Sequence, residues 1–330
     1  MIGELGRPKK VLAVIDDTDT QIALRSASEL AKAYEAGLEV ISCVEPPQDI
    51  AIIARLAGRD KDAIIEEMVT RAQRSATENL RRVLPDQAIE PQVVVGKAYL
   101  NIIRHVAETG CDFVVKAAEP LTGVSGFLHA SNDQHLLRKC PCPVWLQSET
   151  AAPAPRRIIA AVDLDNWDAA EPDTLDTLNQ RVVEAAARIA HTADAEIIVL
   201  HAWDAVGEGM VWAFSDTGDA RKAANDYVRE TLEIREEAMH RLLKTMRARS
   251  ASLNVVLQPL LARGAVERVI EIQSNIQNAD LVVMGTVART GLSGVFIGNT
   301  AENTVNSLKC PVLAVKPEGF VSPLLAAHAS

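Results

Sequence analysis

Short, almost unbroken apolar runs alternate along this chain with longer stretches whose apolar residues recur every three or four positions. In the first half the runs are KVLAVID (10–16), LEVISCV (38–44), PQVVVG (91–96), DFVVKA (112–117) and PVWLQ (143–147). Runs of this length and β-branched content read as strands buried on both faces. The segment 19–36 between the first two has helical spacing, and 48–84 is long enough for two helical segments. Strand and helix in strict alternation predict a doubly wound parallel sheet with right-handed crossovers.

The pattern occurs twice. KKVLAVIDD (9–17) resembles RRIIAAVDL (156–164), CDFVVKA (111–117) resembles ADLVVMG (279–285), and CPVW (142–145) resembles CPVL (310–313). Gly96, Asp112, Gly123, Gly126 and Cys142 all recur 168 residues later, as Gly264, Asp280, Gly291, Gly294 and Cys310. Asp16 and Asp163 are only 147 apart, so the second copy gains 21 residues between its first and third strands. The Ala/Pro-rich stretch SETAAPAP (148–155) reads as a linker. The chain is therefore expected to be two tandem Rossmann-like α/β domains, 1–150 and 151–330. The extra residues are assigned to AWDAVGEGMVWAFSDTGD (202–219). This stretch holds Trp203, Met210, Trp212 and Phe214 in a chain with only 4% aromatics. Such a segment either packs over its neighbouring helix or serves as a lid or partner groove.

Composition narrows the function. The 330 residues are 48% hydrophobic with a formal net charge of -10, which argues against nucleic acid as a partner. No run approaches the roughly 18 to 20 apolar residues of a membrane span, and the N-terminus lacks the layout of a signal peptide. The five cysteines, Cys43, Cys111, Cys140, Cys142 and Cys310, are expected to stay reduced in the cytoplasm. CPC at 140–142 has no second Cys/His pair at ligand spacing, so no metal site is expected and both thiols read as buried small apolar groups. Neither Gly-x-Ser-x-Gly nor a P-loop is present, and no histidine is placed as an obvious base. DLDNWD (163–168) lacks the glycine and distal glutamate of a calcium loop and reads as a solvated acidic loop. His201 reads as a core or rim residue, and His129 and His135 as flanking a helix start.

The densest chemistry lies in GTVARTGLSGVFIGNT (285–300), which carries four glycines between a strand and a helix start. Gly285 at the strand end lets backbone approach a bulky ligand. Asn299 and Glu302 have capping-box spacing, and the first turn of the helix that follows offers free N–H groups to an anion. The segment could hold ribose beside Gly285 and phosphates beside Gly298 to Thr300, with Asp163 accepting a hydrogen bond from base or ribose. The glycines could equally serve tight turns, since Ser131 and Gln134 make the matching capping box in the first copy.

These residues resemble the universal stress proteins of the ATP-binding type, and specifically the bacterial E class, in which two such domains are fused. The likeness rests on Gly-x2-Gly-x9-Gly-Ser/Thr after strand four, a helix, and CPVL-V, and covers nearly the whole chain. It implies an adenine nucleotide alpha hydrolase-like fold, a role in stress tolerance, and ATP or AMP, with magnesium accompanying ATP. Gly285 and Gly298 match the first and third glycines of the motif. Ala288 stands for the second, and Asn299, followed by Thr300, for the Ser/Thr. Asp163 matches the acidic residue after strand one, and Ala202 the small residue lining the adenine. In the first copy Ala117, Pro120 and Ala130 replace all three glycines, although Asp16 and Ser131 remain; that copy is expected to bind no nucleotide. Family members pair through their last strands, which implies an intramolecular pseudo-dimer here and allows a homodimer. The expected role is binding and regulation rather than catalysis, with slow ATP hydrolysis ranked last. The alternative is a nucleotide-independent protein that engages an apolar small molecule or a protein partner through 202–219.

Overall fold

The computed structural model describes residues 8–15, 21–119, 131–148, 151–165, 169–215, 219–286 and 299–326. The first half runs β1 Lys10–Ile15, α1 Gln21–Tyr34, β2 Gly37–Val44, α2 Ile50–Leu56, α3 Lys61–Val83, β3 Gln92–Val95, α4 Ala98–Thr109, β4 Phe113–Ala117, α5 Asn132–Lys139 and β5 Val144–Gln147. The second half begins β6 Arg157–Ala161, α6 Pro172–Ala193, β7 Glu196–Trp203, α7 Glu208–Phe214, α8 Ala220–Arg249 and β8 Leu257–Arg263. It closes with α9 Val266–Ile276, β9 Leu281–Gly285, α10 Asn299–Ser307, β10 Val312–Val315 and a short α11 Pro323–Ala326.

Local chemistry sets several of these boundaries. Asp60 caps α3 by accepting hydrogen bonds from the N–H groups of Asp62 and Ala63, and Asp219 caps α8 through the N–H of Lys222. α4 stops at Gly110, whose φ of 72° suits glycine. Pro172 opens α6, where its missing N–H costs nothing.

The strands form one ten-stranded sheet in the order β3-β2-β1-β4-β5-β10-β9-β6-β7-β8. Each half is parallel, and the halves meet through antiparallel β5 and β10, with Trp145 opposite Leu313 and Val144 opposite Ala314. This is the expected pairing of last strands within one chain, and among the described residues it leaves β3 and β8 as the edges. Alternate side chains of each strand serve opposite layers. Val11, Ala13, Ile158 and Ala160 pack under α1 and α6, and this core runs without a break from one half into the other. On the other face Leu12 and Val14 pack with α4 and α5, and Ile159 and Val282 with α9 and α10. Polar contacts also tie the halves: the Tyr34 hydroxyl donates to the Arg188 carbonyl at 2.7 Å, and Arg138 of α5 pairs with Glu302 of α10.

The strand registers correct the assignment of the extra residues to 202–219. The copies are offset by 147 at Lys10 and Arg157, 159 at Val44 and Trp203, and 168 at Gly96 and Gly264. Twelve residues therefore enter before β7 and nine between β7 and β8. They accompany a lengthening of α6 to 22 residues against 14 in α1, and of α8 to 30 against 23 in α3. Helix α7 is then no insertion but the counterpart of α2, each seven residues long. Nor does α7 bury its apolar side chains: Met210, Trp212 and Phe214 are all more than half exposed.

Candidate functional site

In an open parallel sheet, ligands sit beyond the carboxyl ends of the strands, where successive crossovers leave to opposite faces. In the second half that point lies between neighbouring strands β6 and β9. β6 leads to α6, whose Leu178 and Val182 join the shared core, and β9 leads to α10, whose Ala301 lies on the other face.

Asp163 follows β6 at this point. Its main chain is clamped by Asn179 of α6, whose Oδ1 accepts the Asp163 N–H at 2.9 Å and whose Nδ2 donates to the Asp163 carbonyl at 2.6 Å. The Asp163 carboxylate accepts the Asp165 N–H at 3.1 Å, a turn that fixes where the acid stands. Ala202, buried near the end of β7, shares the α9–α10 face with Leu200 and Met284. Gly285 ends β9, and a Cβ there would lie 2.6 Å from Leu178 Cδ2. Its missing side chain therefore makes room for α6, and only its backbone could serve a ligand. Asn299 and Thr300 form the first turn of α10. Ala288 and Gly298 lie outside the described residues, as do Asp16, Pro120 and Ala130 of the first copy. Asp163, Gly285 and the start of α10 thus belong to crossovers flanking one switch point, with Ala202 one strand further on.

Sequence reasoning missed a buried polar network beside this point. Asp165 is 8% exposed, which corrects its reading as part of a solvated acidic loop. It pairs at 3.1 Å with Arg235 of α8, and His201 Nε2 stands 3.6 Å from the same carboxylate oxygen. His201 Nδ1 lies 3.2 Å from the Val162 carbonyl and 3.3 Å from the Leu164 N–H, so this core histidine, as expected, ties β7 to the strand beside it. The guanidiniums of Arg235 and Arg263 lie 5.7 and 5.9 Å from the Trp203 ring. Arg263 also pairs with Asp204 at 3.1 Å, which lowers the Asp204 pKa. The signal in the sequence was an arginine in the middle of a helix, uninformative until the helix is placed.

The first copy fills the matching place with its own charges. Ala117 is buried at the end of β4, and Ser131 caps α5 by accepting the Gln134 N–H, as expected. Asp133 in the first turn of α5 pairs with buried Lys116 at 3.1 Å and accepts the Glu119 N–H at 2.6 Å. Burial pushes the Asp133 pKa up, and Lys116 opposes the shift. A protein carboxylate supplies the negative charge that this helix terminus attracts. It would repel a phosphate.

With this geometry in view, the comparisons are decisive on kinship. The model of the universal stress protein family matches residues 8–147 and 156–316. The chain belongs to that family. It is similar to universal stress protein E of Escherichia coli strain K12, 27% identical over 329 residues that cover 96% of each chain. It is 25% identical over 335 residues to universal stress protein E of Photorhabdus laumondii, covering 97% of this chain and 98% of the relative. Among solved structures, a protein of unknown function from Pseudomonas aeruginosa PAO1 shares the fold, with a TM-score of 0.64, 23% identity and 98% of both chains covered. A universal stress protein from Archaeoglobus fulgidus aligns with a TM-score of 0.60 and 16% identity, over 94% of this chain and 99% of that one. The tandem arrangement of two family domains, and the open, mostly parallel sheet, are those expected from the sequence.

Proposed function

We propose that the chain is a stress-response regulator that binds ATP or AMP in its second half. The observation that carries this reading is the switch point between β6 and β9. There an oriented carboxylate, Asp163, just after β6, and Gly285, the last residue of β9, stand at the carboxyl ends of adjacent strands. Asp163 would take a ribose or base hydroxyl or amine, Ala202 would line the adenine, and the segment from Ala288 through Gly298 to Asn299 and Thr300 would cradle phosphates, with magnesium accompanying ATP. The first half, with Asp133 and Lys116 across its helix start, serves as structural partner. The role is binding and regulation, not catalysis. No helix among the described residues is long and apolar enough to cross a membrane; the setting that belongs to this reading is the cytoplasm. Calorimetry with ATP and AMP, with and without magnesium, should show one site per chain, lost in Gly298→Glu and weakened in Asp163→Ala. Absence of heat with every adenine nucleotide would remove the reading.

A second reading is favoured by the exposed apolar side chains of α7, which recur in α2 as Ile52, Ile53 and Leu56. They suit an apolar small molecule, a protein partner or a second copy of the chain. Replacing Trp212 with Ala should then abolish ligand capture or self-association; an unchanged result dismisses it.

A further inference from the structure

At the amino edge of the first sheet, opposite the edge just described, three side chains converge from distant parts of the sequence. Glu39 lies near the start of β2, His105 in the last turns of α4, and Cys111 just before β4. One oxygen of Glu39, Oε2, stands 2.7 Å from His105 Nε2 and 3.5 Å from Cys111 Sγ. All three donor atoms lie within 4.8 Å of one another. Lys10 holds the other oxygen, Oε1, at 2.9 Å and donates to the Thr109 carbonyl at 2.8 Å, so Oε2 stays turned toward the histidine and cysteine.

We propose that Glu39, His105 and Cys111 form a zinc site. One carboxylate oxygen, one imidazole nitrogen and one sulfur make a borderline-soft donor set, suited to zinc rather than to calcium or magnesium, which want oxygen only. Zinc bonds of about 2.0 Å to nitrogen and oxygen and about 2.3 Å to sulfur place paired ligands roughly 3.3–3.6 Å apart, so the three donor atoms, all within 4.8 Å of one another, draw together on the ion. The Sγ to Oε2 spacing already suits two ligands of one tetrahedral ion. The Nε2 to Oε2 spacing needs to open by roughly half an ångström, within reach of the partly exposed Glu39 side chain. Binding releases the Cys111 S–H proton to solvent and displaces the Nε2–H that faces Glu39, the imidazole keeping its one proton on Nδ1. The fourth position is left for water. His105 and Cys111 are 7% and 4% exposed, so the ion would be shielded on the protein side and reached past Glu39.

The fold itself does not require this trio. In the second copy the strand registers and the 168-residue offset put Ile198, Gln273 and Ala279 at the three positions, and the same helix packs on the same strand with no ligand set. Cys140 and Cys142, with sulfurs 3.6 Å apart, are the competing thiols and define the control.

The test is a cobalt(II) titration of the reduced, chelator-stripped full chain, followed by zinc competition. The expected result is one ion per chain, with a thiolate-to-cobalt band in the near ultraviolet, visible bands of a four-coordinate ion, and loss of both on adding zinc. Cys111→Ser should abolish the ultraviolet band. His105→Gln and Glu39→Gln should each weaken binding by more than about tenfold, the least that even an outer-shell partner costs. Cys140→Ala/Cys142→Ala should bind as the parent does. No band in the parent would overturn the site, and so would a band that survives Cys111→Ser but vanishes in the double variant. If Cys111→Ser fails to fold by circular dichroism, Glu39→Gln decides: unchanged affinity overturns the proposal.

Discussion

Lys316 follows β10 in the second half, yet its ammonium donates to the Leu137 carbonyl in the last turn of α5 in the first half. It is 3% exposed, with the Phe320 ring centroid 4.8 Å away, and its titratable neighbours are Cys140 and Cys142. Burial pulls its pKa down from 10.5 to about 8. The unfolded chain therefore keeps the proton up to about pH 10.5, while the native protein releases it above about 8. Below that lower value both states are charged and the full burial penalty applies. Between the two values the penalty fades, so this group makes stability rise with pH. At ~1.4 kcal/mol per unit, the penalty is ~3 kcal/mol at pH 7 and ~2 kcal/mol at pH 9. Lys316→Met removes it but strands the Leu137 carbonyl, at a cost of about 1–3 kcal/mol. The absolute change at pH 7 is the difference of these two quantities and therefore small. The pH-dependent part is free of the second. Urea unfolding of parent and variant at pH 7 and 9 should show the parent gaining about 1 kcal/mol on the variant as pH rises. Parallel curves would mean that Lys316 titrates normally and that the strand–helix junction between the halves is wet.

Three further outcomes follow from the same geometry. Gly285→Ala should cost about 1–3 kcal/mol by forcing Leu178 aside, and adding Leu178→Ala should cost less than the sum of the single changes, read from urea midpoints. Arg235→Met removes the guanidinium paired with the buried Asp165 carboxylate and should cost about 3–5 kcal/mol, part of it recovered in Arg235→Met/Asp165→Asn; equal stabilities of single and double variants would show that the pair does not interact. Asp133→Asn removes the carboxylate paired with buried Lys116 and should likewise cost about 3–5 kcal/mol in the same assay; an unchanged midpoint would refute the pairing.

Periodicity and self-similarity in the sequence determined the doubled strand–helix order, the tandem parallel sheets and the placing of Asp163 and Gly285 at strand ends. These are local properties: a strand buried on both faces must be apolar throughout, and a helix packed on a sheet must repeat at three and four. The linear spacing also gave the net count of extra residues, but not their location. Only the register of β7 between β6 and β8 showed that Trp212 belongs to a counterpart of α2. Long-range pairing of charges was invisible for the same reason. Nothing in the order of residues relates Asp165 to Arg235, or Lys316 to the end of α5, because their partners are chosen by how whole helices dock. That a Cβ on Gly285 would meet Leu178 depends on where α6 docks, which no local pattern states. Glu39, His105 and Cys111 share no motif spacing, so nothing in their linear order points to a metal. Two strands and a helix end had to meet before their three donor atoms could lie within one ion's reach.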